Sequence, residues 1–348
     1  MKFNDAVCFD DVLLVPQYSD ISSRQSVDLT CALNRLKQSL RLPIVSSPMD
    51  TVTGASMAIT MSSLGGLGII HRYNTIEEQS EVVYRVKNTG SLIVGAAVGV
   101  SGDFLKRARV LAKSGADIIC VDIAHGHHSM MKNALQALRD DPYTCDLHLM
   151  AGNVATLSAF NDLADWGADS IRVGIGGGSI CSTRIQTGHG VPTLQSVIDC
   201  SSSDRDALLV ADGGIRNSGD MVKAIAAGAD LVMVGSLLSG TDEAPGDVIE
   251  KREMIDGRQT YNMFKSYRGM ASKEAQLAWR GYQSSEEGVA SMVPYKGPAT
   301  DILKSLETGI RSGLSYSGVK CINQLQSCAK FIRQTSAGAV ESSTHITK

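Results

Sequence analysis

SGADIICVDIA (residues 114–124), WGADSIRVGIG (166–176) and AGADLVMVGS (227–236) are three versions of one phrase. In each, Gly-Ala-Asp follows an amphipathic stretch and opens a short apolar run. A glycine at that point ends a helix in the left-handed conformation, and the chain then enters a buried strand. Gly115, Gly167 and Gly228 lie 52 and 61 residues apart. Each interval has room for two strand–helix units of ~25–30 residues, so the phrase marks every second unit of a repeat.

Filling the intervals gives eight predicted strands: Pro43–Pro48, Gly66–Ile70, Ile93–Gly99, Ile118–Ala124, His148–Val154, Ser170–Ile175, Leu208–Gly214 and Leu231–Ser236. Helical patterns separate them. Phe104, Leu105, Ala108 and Leu111 share one helix face, as do Leu157, Phe160, Leu163 and Ala164. Ser218 is the expected N-cap of a helix running to Ala227. Eight alternating units predict an α/β fold of the closed (β/α)8 TIM-barrel type. A doubly wound sheet is the alternative, but the GxGxxG turn that usually follows its first strand is missing.

Two regions fall outside this rhythm. Residues 1–42 precede the first strand, and residues 240–300 follow the eighth. Within the second, Val248–Phe264 reads as a hairpin turning at Asp256-Gly257. Ser272–Val293 is polar and reads either as a mobile flap or as a solvated loop. Residues 1–348 are therefore expected to form one catalytic barrel, with 240–300 as a finger and flap over its mouth.

Composition narrows the function. The 348 residues are 43% hydrophobic and carry a net charge of −3, without a Lys/Arg block. Nucleic acid and membrane surfaces are therefore not expected partners. No run approaches the ~18 apolar residues of a membrane span, and MKFNDAVCFDD lacks the apolar core of a secretory signal. The eight cysteines are scattered and form no CxxC, which predicts reduced thiols and a cytoplasmic location.

In such a barrel the chemistry gathers where the strands end. Ser47-Pro48-Met49-Asp50 follows the first strand, Asp122-Ile123-Ala124-His125-Gly126-His127 lies at the end of the fourth, and Gly152-Asn153 closes the fifth. After the sixth comes GIGGGSICSTR (174–184), after the seventh Asp212-Gly213-Gly214, and after the eighth Gly235-Ser236. Cys181, in a glycine- and hydroxyl-rich loop, is reachable by a substrate and is the candidate nucleophile. The same loop also reads as a phosphate cradle with an incidental cysteine. Asp212 reads as a ribose ligand or as a helix cap, and Asp122 as a cap or a cofactor ribose ligand. His125, His127 and His128 have no carboxylates at metal-ligand spacing.

Taken together, FDDVLLVPQYSD (9–20), PIVSSPMDTVT (43–53), GGLGIIH (65–71), MAGNVAT (150–156), GGGSICSTR (176–184), VADGGIRNSGD (210–220), YRGM (267–270) and VPYKGP (293–298) resemble the IMP dehydrogenase/GMP reductase family along nearly the whole chain. The resemblance implies that Cys181 attacks C2 of a purine nucleotide and that a hydride passes between C2 and a nicotinamide. By the same resemblance, Ser179, Asp212, Gly214, Gly235, Ser236, Tyr267 and Gly269 hold ribose and phosphate. Met49, Asn153, Met270 and Gly288 lie near the base, with Arg172 close by, and Asp122 and Gly126 serve the nicotinamide side. A potassium ion is implied on the carbonyls of Gly176, Gly178 and Cys181, completed by Glu341 and Ser343 of a neighbouring subunit in a homotetramer. The tail, Ser336–Lys348, is otherwise a polar segment expected to fray. Many members of the family carry a regulatory CBS module between the second and third units, whereas Glu77–Asn88 here runs straight from one unit to the next.

The family catalyses two reactions. Dehydrogenases convert IMP to XMP with NAD and use an adjacent Arg-Tyr pair to activate water. Reductases release ammonia using a threonine and a glutamate. Here Thr183 and Glu287 are present, while Arg280-Gly281-Tyr282 separates the Arg and Tyr. Thr187-Gly188 is similar to reductases. SSPMDTVT and FIRQTSAGAVES are similar to dehydrogenases, and Ser284 stands where many reductases have arginine. The balance favours reduction of GMP to IMP and ammonia with NADPH, or NADH in its place, over IMP oxidation with NAD. A catalytically inactive purine-nucleotide-binding homologue is the third reading.

Overall fold

The computed structural model describes residues 4–255, 258–283 and 286–342. Its strands are β1 (Val12–Leu14), β2 (Ile44–Ser46), β3 (Leu67–Ile70), β4 (Val94–Val98), β5 (Ile118–Asp122), β6 (His148–Val154), β7 (Ser170–Val173), β8 (Leu208–Asp212), β9 (Leu231–Val234), β10 (Ile249–Ile255), β11 (Arg258–Arg268), β12 (Ala290–Pro294) and β13 (Phe331–Arg333). The helices are α1 (Ala55–Ser63), α2 (Ile76–Asn88), α3 (Phe104–Lys113), α4 (Ser129–Asp140), α5 (Leu157–Asp165), α6 (Thr183–Thr187), α7 (Thr193–Cys200), α8 (Ser218–Ala226), α9 (Lys273–Arg280), α10 (Ala299–Tyr316), α11 (Ile322–Cys328) and α12 (Ser336–Glu341). None of them is long and apolar enough to cross a membrane.

Strands β2 to β9 form a closed parallel TIM barrel in chain order, with β9 pairing back onto β2. All eight predicted strands are present, each within its predicted bounds. The repeated Gly-Ala-Asp phrase has a double cause. Gly115, Gly167 and Gly228 take φ of 97°, 105° and 115°, the left-handed turn out of a helix. Each aspartate then accepts a backbone N–H at the start of the preceding strand: Val94 to Asp117 at 2.9 Å, Leu149 to Asp169 at 2.7 Å and Leu209 to Asp230 at 2.8 Å. The phrase therefore fixes register between neighbouring strands.

Val45, Leu67, Ile69, Cys120, Met150, Val210 and Met233 belong to one buried cluster, and Cys31, Leu33 and Leu40 of the N-terminal segment join it. His148, the first residue of β6, bonds the Asn34 carbonyl at 2.8 Å. The N-terminal segment thus covers the end of the barrel where the strands begin, leaving the opposite mouth for ligands. The first and last parts of the chain also meet, since β1 pairs antiparallel with β13. Helix α2 leads directly into β4 through a short connection.

Three expectations change. Asn217, not Ser218, caps α8: its side chain accepts from Asp220 N, and Ser218 is the first helical residue. The polar stretch Ser272–Val293 is not a loop throughout, because it contains α9 and most of β12, which pairs with β11 in a three-stranded sheet. Strands β10 and β11 form the expected hairpin, but its turn at Asp256-Gly257 lies outside the described residues, as does Ser284. Part of the tail folds as α12, capped by Thr335, rather than fraying.

Candidate active site

The C-terminal mouth of the barrel surrounds a cavity of about 490 Å³, within the range for a small-molecule site. Nearly every strand end contributes. Met49 follows β2, Asp122 ends β5, Asn153 sits within β6, and Arg172 lies on β7. The loop after β7 brings Gly176, Gly178, Ser179, Cys181 and Thr183 to the wall. Asp212 and Gly214 enter from β8, and Gly235 and Ser236 from β9. Tyr267, Gly269, Met270, Glu287 and Gly288 come down from the insertion. Gly126 does not line the cavity: its N–H donates to the Asn153 carbonyl at 2.7 Å and so supports that strand end. Glu341 is exposed on α12, away from the lining, and Ser343 lies outside the described residues.

Cys181 is half-buried. Its thiol donates to Thr183 Oγ1 at 3.1 Å, and that hydroxyl donates to Glu287 Oε2 at 3.0 Å. The glutamate is held in place by backbone. Ser182 N donates to the Glu287 carbonyl at 3.1 Å, Val289 N to the Ile180 carbonyl at 3.0 Å, and Gly269 N to the Val289 carbonyl at 3.0 Å. Residues 287–289 thus lie strand-like between the cysteine loop and the YRGM segment. The result is a thiol connected through one hydroxyl to a carboxylate, an arrangement with the chemistry to pass a proton.

A charged network forms the floor. Arg172 is 4% exposed. It donates to Asp122 Oδ1 at 2.7 Å, to Asn153 Oδ1 at 2.9 Å, and lies 3.6 Å from Asp212. Arg72 donates to Asp122 from the other side at 3.3 Å. Burial pushes the Asp122 carboxyl up, but Arg172 and Arg72 outweigh it and hold the carboxyl below its ordinary value. At Asp212 burial is the stronger influence and raises the carboxyl, with Arg172 and the Asn153 amide opposing it only in part. Asn153 Nδ2 donates to Asp212 at 2.8 Å, so Asp212 is tied across the mouth and is not a helix cap.

Met270 is fixed twice. Tyr73 OH donates to its carbonyl at 2.6 Å, and Asp50 N approaches its sulfur at 3.4 Å. Arg72, Tyr73, Gln276 and Arg280 also line the cavity, and sequence reading had not singled out the first three. Arg72 and Tyr73 stand two and three residues past the end of β3, so the strand-end rule was signal enough for them. Gln276 carried no such signal, because α9 reaches the mouth from the insertion. A second cavity of about 330 Å³ adjoins the first, sharing Arg72, Asp122, Ile123 and Arg280 and adding Arg107 and Trp279. Among the described residues no cluster of His, Cys, Asp and Glu is arranged to hold a metal ion. His127 instead pairs with Asp162 at 2.7 Å, and the His128 side chain caps α4.

Comparison with known proteins agrees with this geometry. A sequence profile of the IMP dehydrogenase / GMP reductase domain matches residues 6–345. The inosine-5'-monophosphate dehydrogenase of Nitrosopumilus maritimus is 36% identical, over 99% of this chain and 99% of its own length. A GMP reductase of Leishmania major is 34% identical over 98% of this chain and 97% of its own. The crystal structure of a GMP reductase variant from Trypanosoma brucei, in complex with guanosine 5'-monophosphate, superposes with a TM-score of 0.89 at 32% identity, covering 99% of this chain and 98% of that one. Matched along residues 6–345 by the domain profile and over 99% of its length by a solved member, the chain belongs to the IMP dehydrogenase / GMP reductase family.

Proposed function

We propose that this protein is a GMP reductase, converting GMP to IMP and ammonia at the expense of NADPH. The observation that carries this reading is the hydrogen-bonded chain from Cys181 through Thr183 to Glu287. A second feature supports it. Gly281 ends α9 with φ of 74°, so Arg280 lines the cavity while Tyr282 points away and is 61% exposed. The two side chains do not act as the adjacent pair that a dehydrogenase uses for water.

The residues divide the work as follows. Ser179, Gly214, Gly235, Ser236, Tyr267 and Gly269 take the phosphate and ribose, with Asp212 on the ribose hydroxyls. Met49, Asn153, Met270 and Gly288 border the purine. The Cys181 sulfur adds to C2. The 2-amino group leaves as ammonia, taking a proton that Glu287 passes through Thr183. The product of this half is a thioimidate between Cys181 and the purine. A nicotinamide, when bound, would supply a hydride to C2; the carbon–sulfur bond breaks, Cys181 leaves as its thiolate and IMP is released. The second cavity, continuous with the first at Arg72 and Asp122, has the position and the cationic groups to hold the rest of a dinucleotide.

All eight cysteines are free, in keeping with a reducing cytoplasmic setting. The potassium site and the homotetramer belong to the same proposal. The direct test is an assay of purified protein for NADPH oxidation with GMP against NAD reduction with IMP. GMP-dependent oxidation that is lost by at least ~100-fold in Cys181→Ser, with nucleotide binding retained, is the expected result. Robust IMP- and NAD-dependent turnover instead would make the protein a dehydrogenase.

A further inference from the structure

Thr193 opens α7, and its hydroxyl is buried without a hydrogen-bond partner among the described residues. The residue is 4% exposed. A hydroxyl shut away from water and left unpaired is unfavourable, and most such groups in proteins find a partner. Pro192 occupies the N-cap, and the Thr193 hydroxyl makes no capping bond either.

The position of this hydroxyl is specific. A Cβ on Gly177 would stand 2.3 Å from Thr193 Oγ1, a Cβ on Gly174 3.4 Å from it, and one on Gly214 3.8 Å from it. Thr193 therefore sits directly beneath the cysteine loop, where that loop meets the segment following β8. Only glycine fits at 177, because any side chain would occupy the hydroxyl's place. The loop above is rich in glycine, with Gly174 and Gly176 at φ of 148° and 81° and two further glycines before Cys181, so its backbone has wide conformational freedom. A fixed donor thus lies under a loop that has several arrangements open to it.

We propose that Thr193 is a positioning residue for Cys181. When a purine nucleotide engages the loop, the backbone between Gly174 and Gly178 turns, and one of its carbonyls accepts a hydrogen bond from the Thr193 hydroxyl. The bond is made in the nucleotide-bound state and not in the resting one, so it favours binding and sets the height of Cys181 at the purine. The inference rests on the purine-nucleotide reading of the site, but not on which of the two reactions follows.

The test uses Thr193→Val, which keeps shape and volume while removing the hydroxyl, and Thr193→Ser, which keeps the hydroxyl. Three measurements are made on the full chain: thermal midpoint without ligand, dissociation constants for GMP and for IMP, and the rate at which iodoacetamide alkylates Cys181 without ligand, read by peptide mapping. In Thr193→Val the unliganded midpoint should be equal to the parent's or higher, and alkylation should be unchanged. Nucleotide binding should weaken by ~5-fold or more, the worth of one hydrogen bond, and Thr193→Ser should restore it. A lowered midpoint or altered alkylation in Thr193→Val would mean the hydroxyl is already in use at rest and would overturn the proposal. Unchanged affinity with normal binding by the parent would overturn it as well, leaving the nucleotide reading intact. If the parent binds neither GMP nor IMP, the nucleotide reading falls and takes this inference with it.

Discussion

Thr183 and Glu287 lie 104 residues apart in the chain and are joined by a 3.0 Å hydrogen bond from the hydroxyl to the carboxylate. The hydroxyl also accepts from the Cys181 thiol at 3.1 Å. One side chain that follows β7 and one from the insertion after β9 thus share a single hydrogen-bonded chain, the proton path of the proposed reaction. Neither element would serve alone.

Glu287→Gln keeps the size of the side chain and removes its ability to hold a proton. Thr183→Ala cuts the path in the middle. Each should slow ammonia release from GMP by ~100-fold or more, the usual contribution of a positioned acid–base group. Hydride transfer measured in the reverse direction, from IMP to NADP, should also suffer only to the extent that it waits for the later steps. Normal ammonia release in both variants would remove the path from the mechanism.

Asp212 offers its carboxylate to the Asn153 amide at 2.8 Å and stands 3.6 Å from Arg172. Asp212→Ala should weaken GMP by at least ~10-fold, in line with loss of a charged hydrogen bond. Isothermal titration calorimetry reads this directly. An unchanged dissociation constant would place the ribose elsewhere.

Asp122 is the ionised partner of a buried guanidinium, and removing it leaves Arg172 without its 2.7 Å ion pair. Asp122→Asn should lower stability by about 3 kcal/mol near neutral pH. The folded protein holds the Asp122 carboxyl below its ordinary value of 3.8. Its contribution is therefore complete above that pH and is lost as pH falls through the folded-state value. Denaturation of parent and variant across pH should show a constant gap from pH 7 down to about 4 that narrows below. A gap that persists unchanged in stronger acid would rule out the carboxylate as its source.

The C-terminal helix α12 ends at Glu341, which is exposed to solvent in the single chain. If Glu341 and Ser343 complete a potassium site on the Gly176, Gly178 and Cys181 carbonyls of a neighbouring subunit, a chain ending at Gln334 should lose its potassium-dependent activation. Glu341→Gln should raise the potassium concentration needed for half-activation. Sizing of the parent protein should return a tetramer, since forward-reaching contacts must close into a ring. Retention of both activity and potassium response by the shortened chain would detach the tail from the site.

The barrel was legible in the sequence because its strands are buried on both faces. Ile118–Val121 and Leu231–Val234 are continuously apolar, and Gly115, Gly167 and Gly228 mark where such runs begin. Cys181, Asn153, Asp212 and Ser236 could be named in advance because a parallel barrel exposes only the ends of its strands. Helix α9 escaped that reading. It is only eight residues long and lies in a polar stretch, and the residues it buries are one small side chain, Ala275, and one polar one, Gln276. Strand β12 is hidden in a similar way, since its sheet stands away from the core and its residues are largely exposed or half-buried. Some features exist only after the barrel has closed. Arg172 meets Asp122, Asn153 and Asp212 because β5, β6, β7 and β8 come side by side, and Thr183 meets Glu287 because the insertion folds back over the mouth. Local patterning determined which residues face the core and which stand at the strand ends. Tertiary packing alone decided which of those ends would share a charge or a proton, because such pairs depend on distances between segments far apart in the chain.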